Sequence, residues 1–156
     1  MKTEFENTIH KIVVKIFEEA GYIFIDEESI EKYKDTCPEA TMSVDFKGIF
    51  CGRLILSVYG GNFLSTLAAN MLGEEINSSE DQKIDALGEI VNLICGNLLP
   101  EIADTKEIFY IDPPKKIINN EDIADSKKII AEMDIGFENG FVKTKLYVEK
   151  NNKLFF

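Results

Sequence analysis

Asp85, Glu89, Asn92 and Gly96 are the residues of this sequence whose types and spacing could do chemistry together. At roughly 100° per residue they fall within about 60° of one another on a helix. Ile84, Leu87, Val91, Ile94, Cys95 and Leu98 lie on one flank of that line, and Ile90 and Leu93 on the other. The segment therefore reads as an almost wholly apolar helix with one narrow polar stripe, whereas an ordinary surface helix shows a broad charged face. The stripe holds two carboxylates and a carboxamide, and Gly96 beyond them lets another backbone come close. Asn has no useful pKa and cannot serve as a general base, but its amide can hold and aim a water. That is the task in phosphoryl hydrolysis, where positioning and charge stabilisation do most of the work. A carboxylate one turn earlier can pair with a cation on whatever delivers the phosphoryl group. No Lys or Arg falls on the stripe, so metal and positive charge would have to come from a partner. The same spacing also fits an exposed seam of polar i,i+3 and i,i+4 neighbours with no chemistry.

The elements that must position this stripe follow from periodicity and caps. Ser78-Ser79 with Asp81 and Gln82 is a capping signal for a long helix running to about Leu99, which Pro100 is expected to end or bend. Thr3-Glu4-Phe5-Glu6 is a second capping box, followed at helical spacing by Phe5, Ile9, Ile12, Val13, Ile16 and Ala20, with Gly21 as the stop. Residues 22–40 place only a short extended piece at Tyr22–Ile25. Met42, Val44 and Phe46 alternate as a half-buried strand, and Arg53–Tyr59 is a second. Phe63, Leu64, Leu67, Ala68 and Met71 form one face of a short helix closed by Gly73. Ile108–Ile111 reads as a strand, and Ile129, Ala131, Met133, Ile135 and Phe137 alternate inward on another. Asn139-Gly140 signals a type I′ hairpin whose return strand is Phe141–Glu149. Asp112-Pro113-Pro114 and Asn119–Asp122 read as exposed loops, and the Leu154-Phe155-Phe156 tail as apolar enough to dock. The expected class is α+β, a single domain over residues 1–156 with helices packed on an antiparallel sheet.

Composition removes several alternatives. The 156 residues carry 17 Lys+Arg against 28 Asp+Glu, a net charge of −11 that argues against nucleic acid and anionic membrane partners. Cys37, Cys51 and Cys95 show no CxxC spacing, the usage of a reducing, cytoplasmic compartment. The acidic start does not read as a signal peptide, and Lys15 and Arg53 interrupt the two most apolar regions. His10 is the one histidine and has no second ligand at metal spacing, and no GxGxxG or GxxxxGK occurs. His10 is expected at the surface or boundary, and Cys95 in the core.

On these residues the sequence resembles the CheX branch of the CheC/CheX/FliY family, bacterial phosphatases of phosphorylated chemotaxis response regulators. Asp85-x-x-x-Glu89-x-x-Asn92 matches the family motif of Asp or Ser, three residues, Glu, two residues, Asn, and Leu93–Asn97 resembles its apolar-Gly-Asn continuation. Met71–Glu75 and Gly52–Ser57 extend the similarity, which covers about residues 50–100. The resemblance implies a CheC-like fold in which Asn92 orients the water that attacks the regulator's aspartyl phosphate. Glu89 would pair with the regulator's active-site lysine, while Asp85 and Gly96 would belong to the partner-binding surface. It implies no cofactor of this chain's own, Mg²⁺ supplied by the regulator, and a homodimer through the sheet with the Asn139-Gly140 hairpin as an edge. Relatives of the CheC type carry the motif twice; Glu4-x-x-Asn7 lacks the preceding acid and the Gly-Asn continuation, so one motif points to the CheX branch. Two other readings remain: a binding module on the same fold that grips a regulator or another signalling protein without hydrolysis, and a structural dimer that buries the stripe.

Overall fold

Helix α1 (Glu4–Glu19) begins where the capping box places it, in a computed structural model that describes residues 3–73, 79–104, 106, 108–118 and 127–149. The Glu6 amide donates to Thr3 Oγ1 over 3.1 Å and the Thr3 amide to Glu6 Oε1 over 3.0 Å. Ile9, Ile12, Val13, Ile16 and Phe17 form its buried face. The helix ends at Ala20 with the next turn closed by Gly21, but the left-handed residue is Tyr22, not the glycine. A short helix that periodicity did not show, α2 (Glu28–Tyr33), follows.

Strands β1 (Ala40–Lys47) and β2 (Gly52–Gly60) pair antiparallel and place Met42, Val44, Phe46, Leu54, Leu56 and Val58 in the core. Helix α3 (Phe63–Leu72) closes on Gly73 in the left-handed conformation (φ 71°), which costs glycine nothing. Helix α4 (Glu80–Ala103) opens on a capping box of Ser79 with Gln82, whose reciprocal bonds measure 2.9 and 3.2 Å. Such a cap contributes about 1 kcal/mol to the helix. Pro100 does not end α4. It sits in the last turn with its ring exposed, so only one helical donor is lost, and its carbonyl accepts the capping N–H of Asp104.

Short strands β3 (Tyr110–Ile111) and β4 (Lys115–Lys116) both pair with β1, and β5 (Lys127–Phe137) and β6 (Gly140–Glu149) complete a six-stranded antiparallel sheet of order β3-β1-β2-β6-β5. The strand expected at Ile108–Ile111 is thus shorter. The β5–β6 hairpin forms, but its loop residues are Glu138-Asn139 and Asn139 alone has a positive φ (69°), so the turn is not type I′. A bulge between Ile129 and Ala131 breaks the alternation and leaves Ile129 42% exposed, while Ala131, Met133, Ile135 and Phe137 stay inward. Helices α1, α3 and α4 cover one sheet face; α2 lies on the other beside the Gly136–Phe141 pair. The expected α+β arrangement of helices on an antiparallel sheet is the one observed. The expected loop at residues 119–122, the tail at 151–156, Ser78, Glu74 and Glu75 lie outside the described residues.

Candidate functional site

Helix α4 is the one element among the described residues long and apolar enough to cross a membrane, and here its apolar flanks form the core. Leu87, Ile90, Val91, Ile94 and Leu98 are fully buried between α1, α3 and the sheet. Each such side chain contributes roughly 1.5–3 kcal/mol by leaving water, which locks the rotation of the helix about its axis. Asp85, Glu89, Asn92 and Gly96 consequently face out, joined by Asn97 and by Leu93 at 37% exposure. The stripe is therefore wider than the sequence suggests on the Leu93 side. Asp85, Glu89 and Asn92 succeed one another over about 10 Å at a 1.5 Å rise per residue.

The side chains of Asp85, Glu89 and Asn92 make no hydrogen bond or ion pair among the described residues. The contrast with Asn97 is informative: its amide donates 2.7 Å to the Leu93 carbonyl and is spent on its own helix. A carboxamide without such a bond keeps both donor and acceptor for an incoming water. Asn92 also lines a cavity of about 360 Å³ with Ile111, Asp112, Pro113 and Pro114. Asp112-Pro113-Pro114 is the expected loop, with Asp112 and Pro113 exposed, but it is bracketed by β3 and β4 and Pro114 is half-buried against α4. The available signal was Gly88, which repeats Gly96 one helical turn on the other side of Asn92.

His10 is half-buried, 3.7 Å from Glu27 Oε1, as a boundary residue should be. Among the described residues no group of three or more His, Cys, Asp or Glu could hold a metal ion. Cys95 is buried on the apolar flank, and burial pushes its thiol from 9.0 up to about 12. A thiol held neutral is a poor nucleophile. Alkylation of the native protein at pH 8 is expected to label exposed Cys37 and to spare Cys95 until the chain is unfolded; rapid native labelling of Cys95 would contradict its burial. Because the folded pKa is raised, this contribution to stability is intact below pH 9.0 and is lost as the pH climbs toward about 12.

The packing of helices on one face of this antiparallel sheet is shared with solved proteins of the CheC-like fold. Similar solved structures span nearly the whole chain. The CheX of Vibrio vulnificus superposes with a TM-score of 0.68 at 18% identity, covering 96% of this chain and 99% of its own. The CheX of Desulfovibrio desulfuricans gives 0.69 at 14%, covering 94% and 100%. The CheX of Borrelia burgdorferi, solved in a complex with CheY, BeF3 and Mg²⁺, gives 0.64 at 14%, covering 94% and 99%. A comparison with curated protein sequences finds no match. The family model described as Chemotaxis phosphatase CheX matches residues 40–137, and the chain belongs to that family. The matched span contains β1, β2, α3 and all of α4.

Proposed function

We propose that this chain hydrolyses the aspartyl phosphate of a CheY-like chemotaxis response regulator, with Asn92 and Glu89 as its catalytic residues. The observation that carries the reading is a core helix that turns two carboxylates and a carboxamide outward with no partner among the described residues.

In this reading the partner brings the phosphoryl group, its lysine and the Mg²⁺ that neutralises phosphoryl charge, in keeping with the CheY, BeF3 and Mg²⁺ present in the Borrelia complex. The acidic stripe complements that cationic cluster. Glu89 pairs with the regulator's active-site lysine and draws it from the phosphoryl oxygens. Asn92, about one turn further on, donates to and accepts from a water so that its lone pair points in line with the phosphorus–oxygen bond that breaks. Holding a water in this near-attack geometry replaces a costly ordering step in solution. Asp85 lies one turn before Glu89 and helps to dock the regulator, and Gly96 leaves space for the partner's backbone.

The 1–156 chain acts in this account as a single CheX-like domain in the cytoplasm. Its homodimer forms through the sheet, at the edge strand β5 that leads into the hairpin. The test is the lifetime of a phosphorylated response regulator from the same cell, with and without this protein. Shortening by the wild-type chain supports the phosphatase. Tight binding without shortening, across the cell's regulators, would leave a docking module on the same fold.

A further inference from the structure

We infer that Pro100 leaves the Gly96 carbonyl as an acceptor for a backbone N–H of the response regulator, which makes Pro100 a specificity-determining residue on the docking face of α4. The inference rests on the reading that a regulator docks along the stripe, and extends that surface past Asn92. In an α-helix the carbonyl of residue 96 accepts from the amide of residue 100. Residue 100 is a proline, which has no amide hydrogen, and α4 runs on past it to Ala103. The Glu101 amide belongs to the Asn97 carbonyl by the same rule, so the helix supplies Gly96 with no donor. Neighbouring groups do not make up the loss. The Asn97 side-chain amide donates 2.7 Å to the Leu93 carbonyl, and the Asp104 N–H goes to the Pro100 carbonyl.

The acceptor stands where a partner can reach it. Gly96 and Pro100 are both exposed, and solvent-side carbonyls of a helix tilt outward toward water. A Cβ built at Gly96 would meet Ile111 Cδ1 at 4.0 Å and nothing nearer, so the space beside the residue is open to another backbone. Gly96 follows Asn92 by one turn, about 6 Å along the axis. The character of the exposed face changes at Asn92. Before it come Glu80, Asp81, Asp85 and Glu89, whereas from Asn92 to Pro100 the exposed residues are Asn92, Leu93, Gly96, Asn97 and Pro100, with no charge among them. The first half suits a cation; the second suits a neutral donor flanked by the apolar surface of Leu93 and Pro100. An exposed carbonyl is hydrated in the free chain, and docking that expels its water must replace that hydrogen bond or lose it.

The test titrates the full chain and its Pro100→Ala and Pro100→Val variants with each CheY-like regulator of the same cell, activated by BeF3 and Mg²⁺. Both substitutions return the missing N–H and close the Gly96 carbonyl inside the helix, and Val also keeps an apolar side chain close to proline in size. The expected result is a Kd raised about 10-fold in both variants, because a regulator N–H is then buried without an acceptor. Their melting temperatures should equal or exceed that of the wild type, since proline is the poorest helix former. Weaker binding by a chain no less stable is the opposite of what a merely structural proline gives. In the wild type, the Gly96 carbonyl ¹³C resonance should move downfield when the regulator binds. A Kd within about twofold of wild type in either variant overturns the inference. So does a lowered melting temperature in either, a Gly96 carbonyl resonance that binding leaves in place, or the failure of every regulator to bind. A regulator that binds with all these effects, but whose aspartyl phosphate lives no shorter with the chain than without it, would uphold the acceptor and reject the phosphatase.

Discussion

Asn92→Ala is expected to slow hydrolysis of the regulator's aspartyl phosphate by about 100-fold or more while leaving the fold intact, since misplacing a reacting group by about 1 Å already costs about that much. Asn92 is exposed and makes no side-chain hydrogen bond among the described residues, so its truncation opens no core cavity and orphans no buried partner. Substitutions of that kind stay within about 0.5 kcal/mol, and Ala is the better helix former. Thermal unfolding should therefore be unchanged or slightly improved, and binding of the phosphorylated regulator should survive. The check pairs a melting curve with the regulator-phosphate lifetime. A variant that unfolds or aggregates would show Asn92 to be structural, and full activity would show that the water is held elsewhere.

Glu89→Ala should strike binding as well as turnover. A charge-assisted contact between Glu89 and a lysine contributes about 1.5–3 kcal/mol, or roughly 10- to 150-fold in Kd. Glu89 is exposed before docking, so forming the contact desolvates it at the interface. Glu89→Gln keeps the shape and removes the charge, and should recover little of the affinity if the charge is what matters. The wild-type affinity should also weaken as salt rises, and the Glu89→Ala affinity should respond less. Titration calorimetry at two ionic strengths measures both effects. Binding and turnover equal to wild type would remove Glu89 from the mechanism.

Local signals were legible and proved sound. Both capping boxes act within four residues, so Thr3-Glu6 and Ser79-Gln82 could be read from the chain and are made as read. The apolar periodicity of Leu87, Val91, Ile94 and Leu98 required Asp85, Glu89 and Asn92 to face the same way, and the structure turns that side outward. Where those signals failed, a competing longer-range term is visible. Pro100 is tolerated because a terminal turn loses little by it, and Ile129 is flipped by a bulge that strand pairing imposes. The hairpin loop slid by one residue because the Phe137–Gly140 and Gly60–Gly140 pairs fix the register from the neighbouring strands.

The composition of the stripe, its facing and its family resemblance were thus already written in residues 85–97, since a helix repeats every 3.6 residues whatever surrounds it. What stands opposite the stripe was not. Pro114 meets Gly88, and Ile111 meets the Gly96 side of the helix, only because β3 and β4 pair with β1 and carry the intervening loop across α4. Pairing between strands distant in sequence depends on the whole sheet closing at once, and no local period encodes it. Folding of the sheet is what sets the Ile111–Pro114 segment beside a polar line on a helix, so that Asn92 lines the groove between them.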